Sequence, residues 1–196
     1  MSKANLLDRR AVVSQLLKDR RGAIAVGGLG ASTYDIAAAG DHDRNFYLWG
    51  GMGGAVMIGL GLALAQPTLP VVVITGDGEM LMGMGSLATV GLQQPKNLSI
   101  IVLDNEAYGE TGGQASHTGA TADLVGVAKA CGIKDTSNIT TLAEVEAFAS
   151  SLQDVTAGPR FASVKIDGAN LERVLSSRDG TYIVNRIRSS LGHTPI

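Results

Sequence analysis

Asp77 and Asn105 are the residues of this chain best suited to hold a hard cation. Asp77 sits within Gly76-Asp77-Gly78 at the close of an apolar run from Val71 to Thr75. Asn105 follows the next such run, Leu98 to Leu103, and stands 28 positions after Asp77. Polar residues at the ends of two successive apolar runs are what parallel strands deliver to one edge of a sheet. A carboxylate and a neutral amide oxygen are ligands that Mg²⁺ accepts, and Mg²⁺ usually completes its octahedron with phosphates and water. Between the two, Glu79 to Gln94 reads as a helix whose N-terminus, led by the glycine pair, points free N–H groups toward a diphosphate. The constellation is that of a Mg-diphosphate site.

Gly-Asp-Gly, a spacer and an Asn closing the next strand resemble the thiamine diphosphate motif. In that family the positions of Asp77 and Asn105 bind the metal, and a backbone carbonyl two residues after the Asn, here Ala107, completes the protein ligands. The resemblance implies further roles. A bulky apolar residue that props the bent cofactor lies 25 positions before the Asp, which is Met52 in Gly50-Gly51-Met52-Gly53. The carbonyl before it, that of Gly51, accepts a hydrogen bond from the cofactor's aminopyrimidine. The segment Asn105-Glu106-Ala107-Tyr108-Gly109-Glu110-Thr111-Gly112-Gly113-Gln114 is similar to the one in sulfopyruvate decarboxylase beta chains and phosphonopyruvate decarboxylases. It also resembles that of 2-oxoacid:ferredoxin oxidoreductase beta subunits. The likeness runs from Ile24 to Ile133 and rests on three segments that agree in order and spacing.

Several neighbours carry two readings. Gly28-Leu29-Gly30-Ala31-Ser32-Thr33 follows a strand and opens a helix, which suits diphosphate contact by Gly30 and Ser32, although Ser32 also suits a plain N-cap. Gly76, Gly78 and Glu79 stand with Asp77 against the cofactor, Glu79 also reading as a first-turn residue favoured by the helix dipole. Tyr108, Glu110, Thr111, Gln114 and His117 are polar candidates to face substrate. His117 is the one imidazole among them, so it is the candidate for proton transfer or for a substrate carboxylate. Cys131 follows an apolar helical stretch and reads as core.

The elements that must position these groups alternate, giving an α/β order with a parallel sheet, and the resemblance implies a three-layer thiamine diphosphate-binding domain of the diphosphate (PP) type spanning residues 1–196. Helices are expected at Ala4 to Arg20, Ser32 to Ala39, Met52 to Ala65, Met80 to Gln94, Asp123 to Ala130, Leu142 to Ala149 and Tyr182 to Leu191. Strands are expected at Ala23 to Val26, Phe46 to Leu48, Val71 to Thr75, Leu98 to Leu103 and Phe161 to Lys165. The loop Glu106 to Thr121 is long for such a fold, and its place after Asn105 suits an active-site cover.

With 16 basic and 18 acidic residues among 196, the chain offers no electrostatic case for nucleic acid. A lone cysteine excludes an internal disulfide and a cysteine-held iron–sulfur cluster within the chain, and the reducing cytoplasm is the default location. No signal-peptide stretch opens the sequence. The uncharged stretch between Arg44 and Asp77 exceeds a bilayer span, but Gln66, Pro67 and Pro70 divide it, and its glycines suit a packed buried helix followed by a buried strand.

In the resembled family a glutamate from a separate pyrimidine-binding domain activates the cofactor, and a chain of this length has no room for that domain. The expectation is a beta subunit of a hetero-oligomeric decarboxylase. A pyrimidine-binding alpha subunit brings the glutamate, and the substrate is a small anionic 2-oxoacid. The oxidoreductase reading shares Tyr-Gly and Thr-Gly-Gly-Gln. A non-catalytic cofactor-binding scaffold is the reading from another class.

Overall fold

Runs such as Val71 to Thr75 and Leu98 to Leu103 have no polar face, so they are stable only where both faces are covered. The computed structural model, which describes residues 6–196, places them side by side in the middle of a six-stranded parallel sheet. In chain order the first elements are α1 (Arg9–Leu17), β1 (Ile24–Gly27), α2 (Ala31–Ala38), β2 (Asn45–Tyr47), α3 (Ala55–Ala65), β3 (Val71–Gly76), α4 (Asp77–Met82) and α5 (Ser86–Gln93). There follow β4 (Leu98–Asp104), β5 (Ala107–Tyr108), β6 (Gln114–Ala115), α6 (Leu124–Ala130), β7 (Asp135–Ile139), α7 (Leu142–Ser151), β8 (Arg160–Lys165) and α8 (Gly180–Ser190).

The sheet order is β2-β1-β3-β4-β8-β7, and β5 with β6 forms a separate antiparallel ribbon. Alternation along each strand feeds two cores. Val72, Ile74, Ile101 and Val164 face one that α1, α2 and α7 close, while Val71, Val73, Ile100 and Phe161 face one closed by α3, α5 and α6. The result is the expected three-layer α/β architecture. Helix α8 packs at the β2 edge and sends Ile183 to the first core and Ile187 to the second.

Four departures from the sequence expectations have local causes. Helix α1 begins at Arg9 because the Asp8 carboxylate accepts from the Ala11 N–H at 2.8 Å, as an N-cap does, and the expected start at Ala4 lies outside the described residues. Helix α3 begins at Ala55 rather than Met52, since Gly51 and Gly53 take φ of 71° and 95° in a turn. The single helix expected from Met80 to Gln94 is two, α4 and α5, divided at Gly83-Met84-Gly85. Strand β7 is an addition. Its residues Asp135-Thr136-Ser137-Asn138 are polar because it is the sheet's edge, where an apolar stretch would invite further pairing.

No helix among the described residues is long and apolar enough to cross a membrane. The apolar stretch before Asp77 divides into α3 and β3, with the strand buried throughout its apolar part. Cys131 is half-buried against the second core, and Gly91 is required beside it: a Cβ there would meet the Cys131 carbonyl oxygen at 1.7 Å.

Candidate functional site

The chain leaves β1 toward β2 on one side of the sheet, and leaves β3 toward β4 on the other, so the crevice between the ends of β1 and β3 is a topological switch point. A cleft of about 430 Å³ opens there. Its walls come from the segments that follow β1, β2, β3, β4 and β8, with Arg9 of α1. Asp77, Asn105, Met52 and Ala107, distant in sequence, all line it, as do Ser32 and Tyr108. Gly76, Gly78 and Glu79 complete the wall after β3.

Asp77 is the first residue of α4, with Gly76 as its cap, and is 1% exposed. Its Oδ2 accepts hydrogen bonds from the Ser116 hydroxyl and, at 3.1 Å, from that of Thr118. Thr118 Oγ1 also lies 2.7 Å from Oδ1 of Asp104, itself buried and paired at 2.8 Å with Lys165. Burial above all, and then the Asp104 charge, pushes the Asp77 carboxyl above the usual range, against the lowering effect of the two hydroxyls. Asn105 holds itself in an Asx turn, its Oδ1 accepting from the Ala107 N–H at 3.1 Å. Neither Ser116, Thr118, Asp104 nor Lys165 stood out in the sequence. The hydroxyls lie in the long loop, whose fold back onto Asp77 has no periodic or motif signal.

Glu79 has a structural task. Its carboxylate accepts from the Leu29 N–H at 2.8 Å, the Thr75 hydroxyl at 2.9 Å and the Gly53 N–H at 3.3 Å, tying together the segments after β1, before α3 and after β3. Gly28 permits this, since a Cβ there would lie 2.0 Å from Glu79 Oε2. Gly30, not Ser32, is the cap of α2, with φ 74°, and Ser32 is buried in the first turn of the helix at the cleft. Gly30 itself lies under the Glu110 side chain, whose Cγ would be 2.5 Å from an added Cβ. Met52 reaches the cleft, whereas Gly51 does not line it and its carbonyl accepts from the Gly54 N–H at 2.9 Å, which leaves one lone pair.

The loop after Asn105 is built as the β5/β6 ribbon, whose two strands are joined through the 3₁₀ turn Gly109–Thr111 and which a second such turn, His117–Gly119, follows. Its near half covers the cleft: Tyr108 packs its ring on Gly78, where a Cβ would meet ring carbons at 2.5 Å, and Glu110 and Thr111 line the opening. Gln114 is exposed and bonds back to Thr111. His117 is exposed and turned away. It lines a second, apolar groove with Leu81, Met82 and Met84, so the structure does not bring it together with Asp77 and Asn105.

Residues 21–166 match the family described as thiamine pyrophosphate enzyme, C-terminal TPP binding domain. The chain belongs to this family. Its relatives include the sulfopyruvate decarboxylase subunit beta of Methanocaldococcus jannaschii, 46% identical over 63% of this chain and 64% of the relative. The phosphonopyruvate decarboxylase of Streptomyces viridochromogenes is 41% identical over 84% of this chain but only 41% of its own length. The sulfopyruvate decarboxylase subunit beta of Methanothermobacter thermautotrophicus is 34% identical over 92% of this chain and 94% of the relative. The match thus spans less than two thirds of the first two relatives. A solved thiamin diphosphate-dependent enzyme from Mycobacterium smegmatis superposes with TM-score 0.72 over 85% of this chain and 32% of that one, at 20% identity, a likeness of fold.

One arrangement at the cleft is costly by itself. Asp77 is buried beside a second carboxylate, and among the described residues no Lys or Arg pairs with it. A buried carboxylate without a cation is unfavourable, and a divalent ion reverses that. Nor does any group of three or more His, Cys, Asp or Glu among the described residues gather to hold a metal unaided. A cation here must draw on neutral oxygens and ligand phosphates, the habit of Mg²⁺.

Proposed function

We propose that this chain is the diphosphate-binding beta subunit of a two-chain thiamine diphosphate-dependent 2-oxoacid decarboxylase, most like a sulfopyruvate decarboxylase. It converts a short 2-oxoacid to an aldehyde and CO₂. The observation that carries this reading is the gathering of Asp77, Asn105 and Met52 on one cleft in a chain of this family. The full-length likeness to a protein named as a beta subunit supports it.

In this reading residues 1–196 form one cofactor-binding domain, in which Asp77, Asn105 and the Ala107 carbonyl hold Mg²⁺. Gly76, Gly78, Gly30 and Ser32 stand beside the diphosphate, Met52 braces the cofactor, and the free lone pair of the Gly51 carbonyl takes the aminopyrimidine. Glu79 fixes the three segments rather than the ligand. When bound, thiamine diphosphate supplies the carbon nucleophile and the electron sink that let CO₂ depart. Tyr108, Glu110 and Thr111 cover the reacting end and exclude water. A pyrimidine-binding alpha subunit supplies the activating glutamate. The enzyme is a cytoplasmic hetero-oligomer with no nucleic-acid or membrane partner. A phosphonate in place of the sulfonate is the second reading, favoured by the Streptomyces relative.

Calorimetric titration of the assembled pair with thiamine diphosphate and Mg²⁺ tests the site. Asp77→Ala removes the charged ligand, so it should weaken cofactor binding by about tenfold or more and by more than Asn105→Ala does. Unchanged affinity in Asp77→Ala would remove the metal assignment. Release of CO₂ from a panel of 2-oxoacids by the pair, and none by this chain alone, is the expected pattern of activity.

A further inference from the structure

The segment after β8 carries no motif, yet Ile166 to Arg173 forms one wall of the cleft. Its backbone is held firmly. The Asp167 N–H donates to the Leu7 carbonyl at 2.8 Å, the Arg10 guanidinium donates to the Glu172 carbonyl, and Trp49 Nε1 donates to the Ser177 carbonyl at 2.6 Å. Among the described residues two basic side chains line the cleft, Arg9 and Arg173. Arg9 is committed: with Arg10 it brackets the wholly buried Asp35 carboxylate at 3.4 and 3.3 Å.

Arg173 is different in kind. Its side chain is 64% exposed and lies 5.5 Å over the Tyr34 ring, and its acidic partner is Glu110, at 3.7 Å. An exposed pair at that separation is weak and is given up readily to a better anion. Glu110 belongs to the loop that begins at the proposed metal ligand Asn105, and its seat against Gly30 does not depend on Arg173. The cleft therefore brings together the proposed cation site at Asp77 and Asn105 and, on the segment after β8, the weakly paired guanidinium of Arg173.

We propose that Arg173 determines substrate class by binding the second anionic group of a short 2-oxoacid in exchange for Glu110. This rests on the decarboxylase reading above. A guanidinium presents paired donors to the oxygens of a sulfonate, phosphonate or carboxylate, and Tyr34 beneath it limits its freedom. Glu110 keeps the guanidinium oriented until an anion arrives and disfavours neutral-tailed acids, which cannot break the pair.

The assembled enzyme with Mg-thiamine diphosphate tests this in two arms. In the first, Arg173→Ala should raise KM for sulfopyruvate about tenfold or more relative to its effect on 2-oxobutanoate, Arg173→Lys should recover part of the difference, and Glu110→Gln should lower KM for sulfopyruvate. Phosphonopyruvate and oxaloacetate, run alongside, separate phosphonate and carboxylate from sulfonate. In the second arm, calorimetry follows 3-sulfopropanoate, which lacks the 2-oxo group and cannot react. Its affinity should fall about tenfold or more in Arg173→Ala. Equal KM changes for charged and uncharged substrates, or 3-sulfopropanoate binding that is absent in the wild type or indifferent to Arg173, would overturn the assignment. If the wild type releases no CO₂ from any 2-oxoacid, the decarboxylase reading fails, and the second arm still decides whether Arg173 is an anion site.

Discussion

Asp77, the proposed metal ligand, is a carboxylate placed where burial works against its charge. Its carboxyl is pushed up from the ordinary 3.8, by burial first and by Asp104 next, although Ser116 and Thr118 hydrogen-bond the charged form. The folded pKa therefore lies above the unfolded one. The contribution of this group to stability is full below the unfolded value and is lost as pH rises through the folded value. Without metal, Asp77→Asn should melt higher than the wild type at pH 7 by about 2–4 °C for each kcal/mol relieved, with the gap closing toward pH 3. Mg-thiamine diphosphate should reverse the order, raising the wild-type melting temperature and leaving Asp77→Asn nearly unmoved. Melting curves at the two pH values, with and without cofactor, read this directly. Identical curves for the two proteins at pH 7 would count against a strained carboxylate.

At the scale of elements, the break between α4 and α5 sets the position of the turn that carries Met52. Gly83 lies against Gly53 so closely that an added Cβ would be 2.2 Å from the Gly53 carbonyl oxygen, a backbone atom with no freedom to swing aside. Gly85, two residues on, has open space where a Cβ would stand, with nothing within 4 Å. Gly83→Ala should thus cost about 1–3 kcal/mol as overpacking and weaken cofactor binding by displacing the Met52 turn. Gly85→Ala should change stability by less than about 1 kcal/mol and leave binding alone. Denaturant melts with cofactor titration distinguish the pair, and equal effects would mean that glycine content rather than the Gly53 contact matters.

For the whole molecule, the surface around the second groove is incompletely covered. Met82 is 60% and Met84 38% exposed beside a groove of about 710 Å³ that Leu81 and Val127 also line. Large exposed apolar side chains grouped in this way mark an association surface. His117 lies in the same groove. If the alpha subunit of the proposed two-chain enzyme docks on this groove, the double substitution Met82→Ser with Met84→Ser should weaken assembly by about tenfold or more while the melting temperature of the isolated chain holds. Sedimentation of the mixed subunits checks it, and undiminished assembly would move the interface elsewhere.

Much of the candidate site was legible in the residues alone. Buried parallel strands need unbroken apolar runs, so Val71 to Thr75 and Leu98 to Leu103 announced themselves, and with them the edge at which Asp77 and Asn105 stand. The spacing to Met52 was legible because the cofactor motif is carried in sequence order. Gly83 in a helical pattern, polar β7 at the sheet edge and the role of Glu79 were not, since each depends on a neighbour supplied by a distant segment: Gly53, β8, and the N–H groups of Leu29 and Gly53. The same holds for Ser116 and Thr118, whose hydroxyls meet Asp77 only because the loop folds back as a ribbon, and for Arg173, brought to the cleft by the strand order that sets β8 beside β4. Local periodicity determines which residues are strand, helix or turn. The partners of a buried charge, and the direction in which a loop histidine points, are decided by tertiary packing, because those energies arise between residues that the chain keeps far apart.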